Sequence, residues 1–281
     1  MQAPINIIGT PPFTGNYLAA TSNGKYGYVD QYLNIQIPFI FDWAFPFEGE
    51  GAKVMLGNKY GLINKSGNYI CKPKYNIIEP FVRGYAKVQL NNLFGYINQQ
   101  GLEIVPPIFI DCKDFFNGVA VVGIDGQQKY MKPEEIINIV TATTVDSRQP
   151  ISGFHYTETL YGSIDLMGKF IMKPQYLSLS DIFDDRHIAL THHNQYIIVD
   201  RCGNKVSNGD YLDLHLVKNS CVLAKKVVRS WLGQKKELYA LINMNETFIT
   251  DFEYDSFSYG KFEFELYKNG KKVFTWPYGS F

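Results

Sequence analysis

The sequence predicts an all-β protein built from tandem units of about 34 residues, each a three-stranded antiparallel meander, stacked into an open β-superhelix. The main observation is a recurring hexapeptide. Lys25-Tyr26-Gly27-Tyr28-Val29-Asp30, Lys59-Tyr60-Gly61-Leu62-Ile63-Asn64 and Leu93-Phe94-Gly95-Tyr96-Ile97-Asn98 place Asp30, Asn64 and Asn98 at intervals of 34, and such self-similarity marks a repeat architecture. Composition agrees: 20 Tyr, 20 Phe and 24 Gly in 281 residues suit pleated strands joined by tight turns. No stretch approaches the ~20 apolar residues of a membrane helix.

Each unit opens on a strand such as 84–90, followed by a tight Asn91-Asn92 tip, because two-residue hairpins need left-handed backbone that Asn and Gly tolerate. The second strand, 94–98, carries the hexapeptide. Alternation sets Tyr60 and Leu62 on one face and Gly61 and Ile63 on the other. A Gly on a face otherwise filled by Ile or Val predicts a close approach by a neighbouring ring or backbone. The Asp or Asn that follows can cap the next turn with its side chain. That turn closes at Gly67 or Gly101, and a third strand then ends at Pro38, Pro73 or Pro106, since Pro cannot donate to a ladder. An aromatic follows (Phe47, Phe81, Phe115) before the next unit begins.

The pattern persists in weaker form as Tyr161-Gly162-Ser163-Ile164-Asp165, Tyr196-Ile197-Ile198-Val199-Asp200 and Tyr239-Ala240-Leu241-Ile242-Asn243. Asn98 and Asp165 are nearly two periods apart, and Gln128-Lys129-Tyr130-Met131-Lys132 stands where an eroded fourth unit is expected, giving about seven and a half units. The organisation read from this is a regular array over 1–124, a degenerate repeat or spacer over 125–156, and an array of degenerate repeats over 157–281.

These residues resemble the WG repeat family, β-type repeats found mainly in bacterial proteins. Its signature is an aromatic-Gly followed by a hydrophobic pair, Asp or Asn, a Gly turn and a strand ending in Pro. The resemblance is good over 17–122 and weaker over 157–267. Tyr or Phe replaces the eponymous Trp throughout, and Ile197 and Ala240 replace the Gly. A single meander exposes an apolar face, so neighbours must stack. An open twisted superhelix accommodates such units, as does a closed propeller-like ring with a fourth strand near Phe47, Phe81 or Phe115; about 34 residues is short for a propeller blade, which favours the open array.

Because the consensus maintains the stack, departures from it are the functional candidates. Pro133-Glu134-Glu135 opens a segment, 133–140, with Pro at a first helical position and two acids in the first turn, which predicts a short helix followed by a polar stretch, 141–153. It reads as a spacer or a binding loop. The second departure is the hairpin between 222–228 and 238–243, whose extra residues stretch the last interval from about 34 to 43 (200 to 243). Its tip, Arg229-Ser230-Trp231-Leu232-Gly233-Gln234-Lys235-Lys236, joins a Trp to cations. Trp231, Arg229, Lys235 and Lys236 are the candidate binding residues, since Trp and Arg concentrate at interface hot spots and Trp with Lys can also stack on a base or sugar; the bland alternative folds Trp231 back onto the array.

Catalytic readings are thin. His192 and His193 are adjacent in an expected strand, so their rings point to opposite faces. His155, His187 and His215 lie in different repeats without metal-ligand spacing, and Asp184-Asp185-Arg186-His187 falls where a surface turn is expected. Ser220-Cys221 has no base fixed beside it, and no phosphate-binding loop or nucleophile elbow appears. No cofactor or metal is expected. Cys71, Cys112, Cys202 and Cys221 form no CxxC pair and read as free thiols. Lys plus Arg balance Asp plus Glu at 27 each, so no global field recruits nucleic acid or an anionic membrane. The start lacks a basic segment followed by an apolar run, so a cytoplasmic protein is expected. The expected function is therefore a non-catalytic scaffold for another macromolecule, a protein first, including the inhibitor or immunity-type class. An exposed apolar patch that includes Trp231, Trp43 or the 257–264 aromatic cluster would mark that protein-binding surface. A carbohydrate- or cell-wall-binding module is the alternative, on the strength of abundant Tyr and Trp that can stack on sugar rings.

Overall fold

The computed structural model describes residues 4–8, 16–131, 154–218, 221–229, 233–259 and 263–277. The expected helix at 133–140, the stretch 141–153, Ser220 and Trp231 lie outside them. All described elements are antiparallel strands, in seven sheets. The first holds β1 (Asn6–Ile7), β2 (Leu18–Ser22), β3 (Lys25–Val29) and β4 (Ile35–Phe41); the second β5 (Trp43–Ala44), β6 (Gly51–Leu56), β7 (Lys59–Asn64) and β8 (Tyr69–Tyr75). The third holds β9 (Ile77–Ile78), β10 (Tyr85–Leu90), β11 (Leu93–Asn98) and β12 (Glu103–Phe109); the fourth β13 (Asp111–Cys112), β14 (Val119–Met131), β15 (Phe154–Asp165) and β16 (Phe170–Tyr176). Three-stranded sheets follow: β17 (Ser178–Leu179), β18 (Arg186–Leu190) and β19 (Tyr196–Asp200); β20 (Asp213–Lys218), β21 (Cys221–Arg229) and β22 (Lys235–Asn243); β23 (Ser256–Tyr259), β24 (Glu263–Lys268) and β25 (Lys271–Pro277). The chain forms two compact units, one of Met1–Phe115 with Leu166–Gly168, the other of Phe116–Asp165 with Lys169–Phe281.

In the first unit the repeat glycine has a measurable reason. A Cβ on Gly61 would stand 2.5 Å from the Cys71 carbonyl oxygen and 2.7 Å from the Pro73 nitrogen; on Gly95 it would stand 2.4 Å from the Val105 carbonyl oxygen, and on Gly27 2.6 Å from that of Ile37. The approaching group is the backbone of the third strand. Tyr60 pairs with Tyr75 and Leu62 with Cys71, so β8 spends two extra residues opposite Gly61 and bulges onto it. Pro73 sits inside that bulge, where no ladder N–H is needed. The third strand therefore continues past Pro38, Pro73 and Pro106 to Phe41, Tyr75 and Phe109 instead of ending at Pro, because each is an edge strand whose bulge tolerates a missing donor.

The capping expectation holds at all six anchors. Asp30 Oδ1 accepts from Tyr32 N and Asn34 N, Asn64 from Ser66 N and Asn68 N, and Asn98 from Gln100 N and Leu102 N. In the second unit Asp165 accepts from Lys169 N, Asp200 from Cys202 N and Asn204 N, and Asn243 from Asn245 N and Thr247 N. The residue three beyond each anchor is left-handed: Leu33, Gly67, Gly101, Gly168, Gly203 and Glu246. A second clamp holds hairpin tips, with Asp42 accepting from Gly57 N and Asn76 from Asn91 N.

The two-residue strands β5, β9, β13 and β17 precede the second to fifth meanders, and the first three lie ahead of the aromatics Phe47, Phe81 and Phe115. Those aromatics pack instead of pairing: Phe47 meets the Tyr17 and Tyr28 rings at 5.2 and 4.8 Å, and Phe115 the Tyr85 and Tyr96 rings at 4.9 and 4.8 Å. Buried Tyr28 and Tyr96 donate to the Phe45 and Lys113 carbonyls, each at 2.6 Å, so the largest core side chains leave no stranded hydroxyl.

The second unit corrects the expected eroded repeat. Gln128–Met131 pair with Phe154–Thr157 as the far end of the β14–β15 hairpin, whose near end pairs Val122 with Gly162. The extra length between Asn98 and Asp165 falls in the β14–β15 pair of one sheet, and the described residues form seven sheets, not seven and a half units. Gly162 repeats the close approach, its Cβ position 2.4 Å from the Met172 carbonyl oxygen.

Where the glycine is lost, so is the third strand. Ile197 and Ala240 sit in β19 and β22, and on the side away from β18 and β21 those strands meet, among the described residues, only the single bridges Tyr196 to Tyr211, Val199 to Lys205, Tyr239 to Tyr254 and Ile242 to Phe248. Ile198 N donates to Ser207 Oγ at 3.2 Å and its carbonyl accepts from Val206 N and Ser207 N. Leu241 N donates to Thr250 Oγ1 at 2.9 Å and its carbonyl accepts from Ile249 N and Thr250 N. A side-chain hydroxyl answers the backbone donor that a bulging strand can no longer reach.

Candidate interaction site

β21 and β22 are nine residues each, against six for β6, β7, β10 and β11. The extension adds the pairs Val227 with Glu237, Val228 with Lys236 and Arg229 with Lys235. The base of this ribbon is anchored: Leu223, Ala224, Ala240 and Leu241 are buried, Lys225 pairs with Glu237 at 2.6 Å, and Lys226 Nζ lies over the Tyr211 ring at 4.1 Å and 5.4 Å from the Phe252 centroid. The hydrogen bond to Glu237 holds the Lys225 ammonium above its ordinary pKa.

Beyond the base the character changes. Val227 is 44% exposed, and Arg229, Lys235 and Lys236 are exposed. None of these three cations forms an ion pair with a described residue. Arg229 and Lys235 stand directly opposite each other, an arrangement of like charges that destabilises an antiparallel pair. Three of the four expected binding residues thus share the end of one ribbon, which flanks the fourth, Trp231, in sequence.

One residue of this neighbourhood was missed by the sequence reading. Glu246 occupies the left-handed position that Gly67, Gly101, Gly168 and Gly203 fill elsewhere. Its carboxylate accepts from Asn208 N at 2.5 Å, Gly209 N at 3.2 Å and the Tyr211 hydroxyl. Burial pushes its pKa up, but the Tyr211 hydroxyl, the two N–H groups and Lys226 together hold it below the ordinary carboxylate range. The signal available in the sequence was a Glu three residues after an anchor, where Gly is the rule.

The other candidates are placed differently. Trp43 is 42% exposed and packs on Tyr26 at 4.6 Å and Phe45 at 6.4 Å, with Lys53 Nζ 4.3 Å from the Phe45 centroid. In the 257–264 cluster Phe264 is buried and stacked on Phe257 at 5.7 Å, while Tyr259 stays exposed. His192 and His193 lie in the turn between β18 and β19 and not in a strand, because β18 ends at Leu190. Asp184 and Asp185 form the expected turn in left-handed backbone, but His187 is fully buried in β18 with Nδ1 2.8 Å from the Ser180 carbonyl oxygen. Among the described residues no three His, Cys, Asp or Glu side chains gather as a metal site. Cys71, Cys112 and Cys221 are buried free thiols and Cys202 an exposed one; burial pushes the Cys221 thiol up to about 11, away from nucleophile chemistry.

The family described as WG containing repeat matches residues 26–60, 60–94 and 94–127 in succession. These are WG repeats. Each match runs from the aromatic before one repeat glycine (Tyr26, Tyr60, Phe94) toward the next, so one WG repeat takes its second and third strands from one sheet and its first strand from the next. Among solved structures, a computationally designed protein called Ika8 shares 9% identity at TM-score 0.29 over 99% of this chain and 97% of its own. BamB from Moraxella catarrhalis shares 10% at 0.30 over 96% and 85%, and Hsv2 from Kluyveromyces lactis 10% at 0.31 over 88% and 79%. Scores this low carry no argument about architecture or activity. No curated protein matches.

Proposed function

We propose that this WG-repeat chain is a non-catalytic scaffold that binds another protein, with the β21–β22 ribbon as its contact. The carrying observation is a ribbon three pairs longer than those of the regular repeats, ending in Arg229, Lys235 and Lys236 without acidic partners among the described residues. Repeat arrays present such additions on a surface whose consensus residues are committed to stacking, and here the glycines, anchors and core tyrosines have those commitments. Sheet edges are poorer contacts: β4, β8, β12 and β16 carry Pro and bulges, which blunt strand addition. The test is affinity capture from native lysate with the wild type beside Trp231→Ala/Lys235→Ala/Lys236→Ala, read by mass spectrometry. A partner held by the wild type and lost by the triple variant supports the reading; partners unaffected by the substitutions move the contact off the ribbon. A glycan surface is the second reading, favoured by the half-exposed Trp43 against Tyr26, and glycan-array silence would remove it.

A further inference from the structure

Resting on that reading, we infer that the partner's contacting segment is acidic, a carboxylate-bearing stretch of protein that inserts its charge between Arg229 and Lys235. The ribbon manages every other charge it carries. Lys225 is answered by Glu237 at 2.6 Å, and Lys226 is laid over Tyr211 and Phe252. Among the described residues compensation stops only past Val227, and there two cations face each other across the strands at Arg229 and Lys235, while Lys236 falls on the ribbon's other face. A folding requirement alone would favour an acid at 229 or 235, because opposite charges across a pair stabilise and like charges do not. An incoming carboxylate removes that repulsion, so the free ribbon is electrostatically prepared for an anion. Protein is favoured over nucleic acid on two grounds. The chain balances 27 basic with 27 acidic residues, leaving no long-range field for a polyanion. The ribbon also offers exposed Val227 beside its cations, a mixture that suits a protein surface better than a run of phosphates.

The experiment uses the full chain, isotopically labelled, and a peptide of ten glutamates as probe, with ten-residue polylysine and oligouridylate of ten nucleotides alongside. The expected result is that the glutamate peptide shifts the amide resonances of Arg229, Lys235 and Lys236, with affinity falling at least about tenfold between 50 and 300 mM NaCl as screening requires. Lys235→Glu is the decisive variant. It places an acid opposite Arg229, so its thermal midpoint should equal or exceed that of the wild type while peptide binding is lost, which separates loss of the site from loss of the fold. Absence of shifts at these residues, binding indifferent to salt, or binding of oligouridylate in place of the peptide would overturn the inference. A lysate partner lost by the alanine triple variant yet retained in 300 mM NaCl would leave the scaffold reading standing and sink this one.

Discussion

Replacing Gly61 by Ala isolates the contact on which a WG repeat turns. The backbone there is not left-handed, so no conformational strain accompanies the change; the new methyl meets the Cys71 carbonyl oxygen at 2.5 Å and the Pro73 nitrogen at 2.7 Å. An ordinary contact needs roughly 1 Å more, and the obstacle is backbone. Relief requires β8 to move away from β7, although Leu62 and Cys71 on either side of the bulge are buried in one cluster with Tyr75 and Ile78. Overpacking of this kind costs roughly 1–3 kcal/mol, and the rigid neighbour argues for the upper half. The stiffer unfolded chain returns about 0.4–1 kcal/mol, leaving a net loss of about 2 kcal/mol. For a chain of this size that corresponds to a fall of roughly 3–4 °C in Tm. Urea and thermal denaturation of Gly61→Ala would be read against Gly51→Ala, where the nearest atom to the added Cβ is a flexible Ile70 methyl at 3.5 Å. Equal stabilities for the two variants would refute the close-approach account of the repeat glycine.

Asn98→Ala removes the acceptor for Gln100 N and Leu102 N and should lower stability by about 1–2 kcal/mol in urea titration, whereas Asn98→Asp should be close to neutral, as Asp30 and Asp200 make the same bonds. Glu246 has a depressed native pKa, so its contribution is complete above its ordinary value of 4.5 and is lost as pH falls below it; Glu246→Gln should flatten the acid limb of a stability-versus-pH curve, and an unchanged limb would count against the clamp. Native protein should show one fast thiol toward an aromatic disulfide reagent, Cys202, and all four only after unfolding, since Cys71, Cys112 and Cys221 are buried; rapid reaction of Cys112, whose thiol burial pushes up to about 11, would contradict the packing of β13.

What was legible in the sequence was what acts over a few residues. Asp30, Asn64 and Asn98 bind N–H groups two and four positions ahead, so spacing alone exposes them. Gly61 announced a close approach, but not that the approaching body was a Pro-bearing bulge, because pairing of Tyr60 with Tyr75 is a property of two strands. Gln128–Met131 passed for a worn repeat for the same reason: their partners, Phe154–Thr157, lie beyond a long insertion. At the candidate site the cations could be read off directly, while the opposition of Arg229 and Lys235 needed the register of the ribbon.

Ser207 and Thr250 change what mutation can do to this chain. In the regular repeats a single methyl at the glycine position is an obstruction, so drift there is barred. Once a hydroxyl nine residues ahead satisfies Ile198 N or Leu241 N, bulky side chains such as Ile197 become admissible and the following segment is free to vary in length. That freedom depends on the hydroxyl: removing Ser207 or Thr250 strands a backbone donor. The fifth and sixth repeats thus trade a paired third strand for one hydroxyl each, at Ser207 and Thr250.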